Sequence, residues 1–234
     1  MYFSDKSREE ISGEWGAFIS YRWLSFPVTA WFLKLEISAN TVTVMCMLLS
    51  FSMCLVFLLP GGINYIYLSI VAVIISILDC VDGNIARVTG TQSSRGQYLD
   101  FITDIIYRIF LYVALGYIIQ SASGYDLILF QYAVFLCLFS ALLAIFSRLC
   151  RVYVEKRFNS QLSNEPSAGA ESLKRKYRIR DIIISFFSGL DSLLPVFIFI
   201  AGFNHVIHWL LFWIVVYSIL DFANTQYRIF TRIE

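Results

Sequence analysis

Long apolar segments dominate this chain and restrict the folds open to it. Of its 234 residues, 58% are hydrophobic and 15% are charged, whereas about a quarter of the residues in a soluble domain are charged. An apolar run of about twenty residues can cross a bilayer as a helix. The pattern therefore predicts an all-α membrane protein with six transmembrane helices. The predicted spans are residues 41–59, 65–78, 99–120, 127–149, 182–203 and 206–222.

The segment before the first span has a different character. Aromatic and aliphatic residues recur at near-helical spacing between residues 14 and 36, but Arg22, Lys34 and Glu36 interrupt them. This pattern predicts an amphipathic helix that lies along the membrane surface, which Pro27 could kink. A seventh span is the alternative.

The distribution of basic residues predicts the orientation in the membrane. The connections 60–64, 121–127 and 203–205 contain no Lys or Arg, so all 18 basic residues lie elsewhere. Because cytoplasmic connections carry an excess of Lys and Arg, we expect both termini and the other connections to be cytoplasmic. The chain is then divided into a cytoplasmic, interfacial segment, residues 1–36, and a six-span domain, residues 37–234.

Four aspartates stand where the second span ends and the third begins: Asp79, Asp82, Asp100 and Asp104. Spacings of three and four residues place each pair on one side of a helix. Acidic side chains near a membrane interior cost about 2.5–3.5 kcal/mol each, and four together would repel one another. A set of oxygen ligands suits Mg²⁺ or Mn²⁺, so we predict a divalent-metal site. A salt-bridged loop between two helices is the simpler alternative.

The same stretch resembles the signature of the CDP-alcohol phosphotransferases, also called CDP-alcohol phosphatidyltransferases. That signature is Asp-x₂-Asp-Gly-x₂-Ala-Arg-x₈-Gly-x₃-Asp-x₃-Asp. Every fixed position is filled here, by Asp79, Asp82, Gly83, Ala86, Arg87, Gly96, Asp100 and Asp104. The resemblance implies an integral membrane enzyme of phospholipid synthesis, in which a hydroxyl attacks the β-phosphorus of a CDP ester and CMP leaves.

The resemblance also implies roles for the four aspartates. Asp79, Asp82 and Asp100 would be principally ligands of two divalent ions. Asp104 would lie close to the metals as well and would deprotonate the acceptor hydroxyl. A base in that position agrees with general acid–base chemistry by a carboxylate.

Small and basic residues between the aspartates are predicted to contact the nucleotide. Gly83 and Ala86 lack bulk where a nucleotide must approach the helix, and Arg87 can pair with a phosphate or steady the carboxylates. Gly96 is expected to have a similar spacing role near the third span. The connection that carries Arg87 is predicted to be a turn over residues 84–98.

Two polar pairs outside the signature are further candidates. The family often has an Asn-x-x-Thr where Asn40 and Thr43 lie, which implies nucleotide contacts; capping of the first span by Asn40 or by Ser38 is the alternative. Arg148 and Arg151, three residues apart at the end of the fourth span, are candidates to hold an acidic or phosphorylated acceptor. Anchoring of the span at the membrane surface is the alternative for these arginines.

The chemistry allows two directions of transfer. In the favoured one, CDP-diacylglycerol donates a phosphatidyl group to a small alcohol. In the other, a CDP-linked choline, ethanolamine or polyol donates its head group to diacylglycerol or another membrane alcohol. A divalent-cation transporter is a third alternative, but such carriers hold their acids near the bilayer midplane, whereas these lie at one end of the spans.

The expected partners are therefore a CDP-linked donor, an alcohol acceptor and membrane lipids, without nucleic acid. The family is often homodimeric, which implies a second copy as a partner. We expect a bacterial or archaeal cell membrane, with the active site on its cytoplasmic side.

Overall fold

The computed structural model describes residues 21–59, 63–122, 131–162, 192–204 and 206–233. Over these ranges the chain forms helices joined by short turns, without a strand, and the all-α prediction is confirmed for them. A 3₁₀ helix, Met53–Leu58, directly follows the α-helix Ala39–Ser52. The α-helices are α1 Trp23–Lys34, α2 Ala39–Ser52, α3 Asn64–Thr89, α4 Ser94–Ala122, α5 Ala133–Leu162, α6 Leu194–Phe203 and α7 His208–Ile233.

Among the residues that the structure describes, four segments are long and apolar enough to cross a membrane: Ala39–Leu58, Asn64–Thr89, Ser94–Ala122 and Ala133–Val154. They correspond to the first four predicted spans, and the chain is a multi-pass membrane protein. Part of the predicted fifth span, residues 182–191, lies outside the described residues. The total of six spans therefore stays a prediction.

The connection between the second and third spans is shorter than the sequence suggested. A turn over residues 84–98 was expected, but α3 continues to Thr89 and α4 begins at Ser94. Gly90 ends α3 with a φ of 66°, a left-handed conformation that glycine adopts without strain, and its N–H bonds to the carbonyl of Ala86. The prediction was wrong because Gly83 alone does not end a helix. Most of the signature thus lies on one continuous helix.

The N-terminal segment contains the expected helix, α1, and this helix packs against α3. Ser25 and Thr29 are buried, whereas Trp23 and Trp31 are 65% and 59% exposed. The polar side of α1 therefore faces the protein and large apolar side chains point outward, as suits contact with lipid. The position of α1 along the membrane surface stays a prediction.

The remaining helices form one bundle. Helix α2 packs on α3 and α4, α4 packs along α5, α5 contacts α7, and α6 lies against α3. Gly116 marks a close approach of α4 and α5, because a Cβ atom added there would lie 2.7 Å from the Cα of Val134 and 3.0 Å from the carbonyl oxygen of Ala133. Backbone atoms cannot yield as a flexible side chain can. This glycine therefore sets the distance between the two helices.

Replacing Gly116 with alanine should destabilise the protein by about 1–3 kcal/mol, the usual range for overpacking of a close contact. Helix propensity alone predicts the opposite sign, because alanine is about 1 kcal/mol better than glycine inside a helix. Thermal unfolding of the purified protein in detergent would measure the change. An unchanged or higher unfolding temperature would contradict the close approach.

Candidate active site

A cavity of about 260 Å³ lies between α2, α3 and α4, next to the connection that joins α3 to α4. Two of the signature aspartates, Asp82 and Asp100, line it. All six residues that were predicted to contact a nucleotide also line it: Asn40, Thr43, Gly83, Ala86, Arg87 and Gly96. Residues as far apart in sequence as Asn40 and Asp100, 60 positions, thus meet at one place.

Helical spacing explains this convergence. Asp79, Asp82, Gly83, Ala86 and Arg87 follow one another along α3 at positions i, i+3, i+4, i+7 and i+8. Residues at these intervals lie on one face of an α-helix. The spacings in the signature therefore give α3 one polar face with small residues, which is turned towards α2 and α4.

Five further residues line the cavity and were not predicted from the sequence: Ala39, Thr91, Gln92, Ser93 and Gln97. Three of them form the connection between α3 and α4. Ser93 also caps the start of α4, because its Oγ accepts a hydrogen bond from the backbone N–H of Gly96 at 3.1 Å. A run of polar residues in the variable stretch between Arg87 and Gly96, in a chain this apolar, was the signal that could have found the connection.

Thr43 fixes the carboxylate of Asp82. Its Oγ1 donates a hydrogen bond to Asp82 Oδ2 at 2.7 Å, and both residues are buried. The capping role that was considered for Asn40 belongs to Ser38, whose Oγ accepts from the backbone N–H of Thr41 at 3.2 Å. Asn40 is therefore left to face the cavity, where a Cβ atom added to Gly96 would lie 3.3 Å from its Oδ1.

The other aspartates have different partners. The carboxyl groups of Asp79 on α3 and Asp100 on α4 lie near enough to interact electrostatically. Asp104 lies one turn beyond Asp100 and pairs with two arginines: Arg108 Nε at 3.2 Å on the same helix, and the Nη1 of Arg148 on α5. Asp104 is thus paired with cationic side chains, and it also lies near enough to Asp79 and Asp100 to interact with both.

The aspartate side chains are of the type that binds a divalent metal ion. Within the described part of the chain, no three acidic, histidine or cysteine side chains are gathered into a ready-made metal site. The donor chemistry nevertheless fits, because the carboxyl groups of Asp79 and Asp100 lie near enough to interact and Asp82 shares the cavity with Asp100. Such neighbours repel when ionised, and a hard cation with oxygen ligands would relieve that repulsion.

Arg148 and Arg151, both on α5, do not share a partner. Arg148 contacts Asp104 and lies over the ring of Phe101, with its Cζ 5.5 Å from the ring centroid. Arg151 instead donates to Asp221 Oδ1 at 3.2 Å and to Thr225 Oγ1 at 3.0 Å, both on α7. Arg148 is therefore beside the aspartates, and Arg151 joins α5 to α7.

One protein-family model matches the part of the chain that contains this site. The model of the family described as CDP-alcohol phosphatidyltransferase matches residues 36–216. The matched part contains all four aspartates and the three helices that surround the cavity. A search of curated proteins found no match.

Proposed function

Because this chain belongs to the CDP-alcohol phosphatidyltransferase family, we propose that it transfers a phosphatidyl group from CDP-diacylglycerol to a small alcohol and releases CMP. Family membership makes the chain a transferase that acts on a CDP-alcohol; the donor and the acceptor are the proposal. The cavity is the observation that carries it, because six residues expected at a nucleotide meet two aspartates there.

Arg87 is the residue we propose for the diphosphate of the donor. It is exposed at the cavity, and a guanidinium can form paired hydrogen bonds with phosphate oxygens. A Cβ atom added to Gly83 would lie 3.5 Å from Arg87 Nη2. A side chain larger than that of alanine at position 83 would compete with the guanidinium for space, so Gly83 leaves room for Arg87 as well as for the nucleotide.

Asp79, Asp82 and Asp100 are the residues we propose as ligands of Mg²⁺ or Mn²⁺, with two ions expected. A bound divalent ion supplies positive charge that stabilises the charge developing on the diphosphate during transfer. Thr43 holds Asp82 in one orientation by its hydrogen bond. Partners of this kind orient ligands and raise metal affinity.

Asp104 is proposed as the base that activates the acceptor. The acceptor hydroxyl gives its proton to the Asp104 carboxylate, and its oxygen forms a bond to the β-phosphorus. The bond from that phosphorus to the bridging oxygen breaks, and CMP leaves with the bridging oxygen. Pairing with Arg108 and Arg148 suits an ionised carboxylate, which is the form that can accept a proton.

The acceptor is proposed to bind beside Asp104, near Arg148. An acidic or phosphorylated alcohol would find a cationic partner there. Arg151 was a second candidate for this role, but its contacts with Asp221 and Thr225 leave it joined to α7. We therefore propose Arg148 as the principal acceptor residue.

The placement in the membrane belongs to the proposal as well. The basic residues around the signature support an active site at the cytoplasmic surface, where a lipid and a water-soluble partner can meet. The family match begins at residue 36, which supports the division into an interfacial segment, residues 1–36, and a catalytic domain, residues 37–234. Assembly into a homodimer stays a prediction.

The test is release of CMP by the purified protein in the presence of Mg²⁺ or Mn²⁺. One set of reactions offers CDP-diacylglycerol with a panel of small alcohols, and the other offers CDP-choline or CDP-ethanolamine with diacylglycerol. CMP from the first set alone is the expected result and would identify the acceptor. CMP from the second set alone would reverse donor and acceptor. Absence of CMP in both sets, without CDP binding, would contradict a catalytic role, and Mg²⁺ uptake by sealed vesicles would then favour a transporter.

A further inference from the structure

We infer that Asn84 is a positioning residue, which holds Arg87 ready for the nucleotide and is itself held by Ser25 and Thr29 of α1. The inference rests on the proposed function in taking the ligand of Arg87 to be a CDP-linked diphosphate. Asn84 fills one of the variable positions of the signature. Helix α1 ends before residue 36, where the family match begins. Neither the signature nor the family match therefore assigns a role to these contacts.

Asn84 connects α1 with Arg87 through both ends of its amide. Its Nδ2 donates to Ser25 Oγ at 3.2 Å and to Thr29 Oγ1 at 3.4 Å. Its Oδ1 accepts a hydrogen bond from Arg87 Nη2 at 2.9 Å. Asn84 thus links the side chains of Ser25 and Thr29 on α1 to the Arg87 guanidinium, which lines the cavity.

The hydroxyl groups of α1 determine which way the amide faces. Ser25 Oγ donates its proton to the carbonyl of Arg22 at 2.8 Å, and Thr29 Oγ1 donates its proton to the carbonyl of Ser25 at 2.7 Å. A hydroxyl group has one proton, so towards Asn84 both groups can only accept. The amide must therefore present its NH₂ group to α1, and its carbonyl oxygen is left facing Arg87. The reversed amide would set its NH₂ group against the guanidinium, donor against donor.

The buried side chains of α1 hold the Asn84 amide in one orientation. Without that amide, the exposed Arg87 side chain would be free to change its conformation. Ser25 is 0% exposed and Thr29 is 6% exposed, whereas Arg87 lies at the surface of the cavity and is exposed. Fixing an exposed arginine side chain costs conformational entropy. A contact that orders the side chain before the ligand arrives reduces what binding must overcome. Helix α1 is thus part of the support of the nucleotide site.

The test is a double-mutant cycle on the full chain, with CDP binding in the presence of Mg²⁺ as the readout. Asn84→Ala and Arg87→Ala are compared singly and together. Asn84→Ala should weaken CDP binding about tenfold, as expected for a lost hydrogen bond to a charged group. In the Arg87→Ala background the same change should have no further effect, because Asn84 acts through Arg87. Equal losses in both backgrounds, or no loss in the single variant, would overturn the inference.

Substitutions on α1 separate positioning from helix packing. The pair Ser25→Ala and Thr29→Val removes both acceptors of the Asn84 amide without touching the cavity, and it should weaken CDP binding in the same direction. Val28→Ala is the matched control, since Val28 packs against the core from the same helix. It should lower the unfolding temperature without changing CDP affinity. If Val28→Ala weakens CDP binding as much as the Ser25 and Thr29 pair does, α1 acts only by packing.

The proposed function and this inference fail in different ways. If the unaltered protein neither binds CDP nor releases CMP, the proposed function fails and the role of Arg87 fails with it. If the unaltered protein binds CDP and releases CMP while the cycle is additive, only the positioning role of Asn84 is overturned.

Discussion

Replacing Asp104 with asparagine should abolish turnover while CDP binding persists. Asparagine has the same size and its Oδ1 can still accept from Arg108 and Arg148, but it cannot take the proton of the acceptor hydroxyl. Removing a positioned base lowers rates by about 10²–10⁴-fold. Asp104 lies one turn beyond Asp100 and is not among the residues that line the cavity, so the nucleotide contacts should be unaffected. CMP release and CDP affinity, measured on the same preparation, give the two readouts.

A second carboxylate–arginine pair provides the control for this experiment. Asp221 contacts Arg151 at 3.2 Å between α7 and α5, as Asp104 contacts Arg148 between α4 and α5. Asp221→Asn should leave turnover close to normal, because this pair joins helices away from the cavity. Equal losses in the two variants would indicate that helix packing was disturbed. Loss of CDP binding in Asp104→Asn, with the fold intact, would instead make Asp104 mainly a metal ligand.

Much of the site could be predicted from sequence because its spacings are those of a helix. Residues at i, i+3, i+4, i+7 and i+8 share a face whatever the partner helix is. The face that contains Asp82 and Arg87 follows from that rule alone. Asn40 and Thr43 came from the family resemblance, and the structure brings them to the same cavity.

The end of α3 was misjudged for a physical reason that the sequence also contained. A lone glycine such as Gly83 costs a helix about 1 kcal/mol and is tolerated, whereas a glycine in the left-handed conformation after the last turn ends it. Gly90 followed three residues later by Ser93 is the stop and start signal of two helices. Gly90 and Ser93 together thus predict the short connection between α3 and α4.

Partners between distant helices could not be predicted. Arg148 and Arg151 are three residues apart and were expected on one side, yet they contact α4 and α7 respectively. Three residues of an α-helix turn it through about 300°, which leaves about 60° between the two side chains. That angle is enough for two long side chains to reach different neighbours. Which neighbour each one meets depends on the packing of the whole bundle.

Replacing Asp82 with asparagine should remove metal-dependent CDP binding and turnover together, in contrast to Asp104→Asn. Asp82 is the most buried of the four aspartates, at 8% exposed. Asparagine keeps the acceptor for Thr43 but loses the negative charge that a divalent ion needs. We expect CMP release to fall by about a thousandfold, which corresponds to about 4 kcal/mol. Calorimetry with Mn²⁺ should show weaker binding independently of turnover.

Thr43→Val separates the charge of Asp82 from its orientation. This variant keeps the carboxylate and the shape of the side chain but removes the 2.7 Å hydrogen bond. Loss of a partner that orients a ligand typically costs 10–100-fold in metal affinity, so the effect should be clearly smaller than that of Asp82→Asn. If Thr43→Val is as damaging as Asp82→Asn, the bond between the two residues matters more than the charge, and Asp82 supports the helix pair instead of binding the metal.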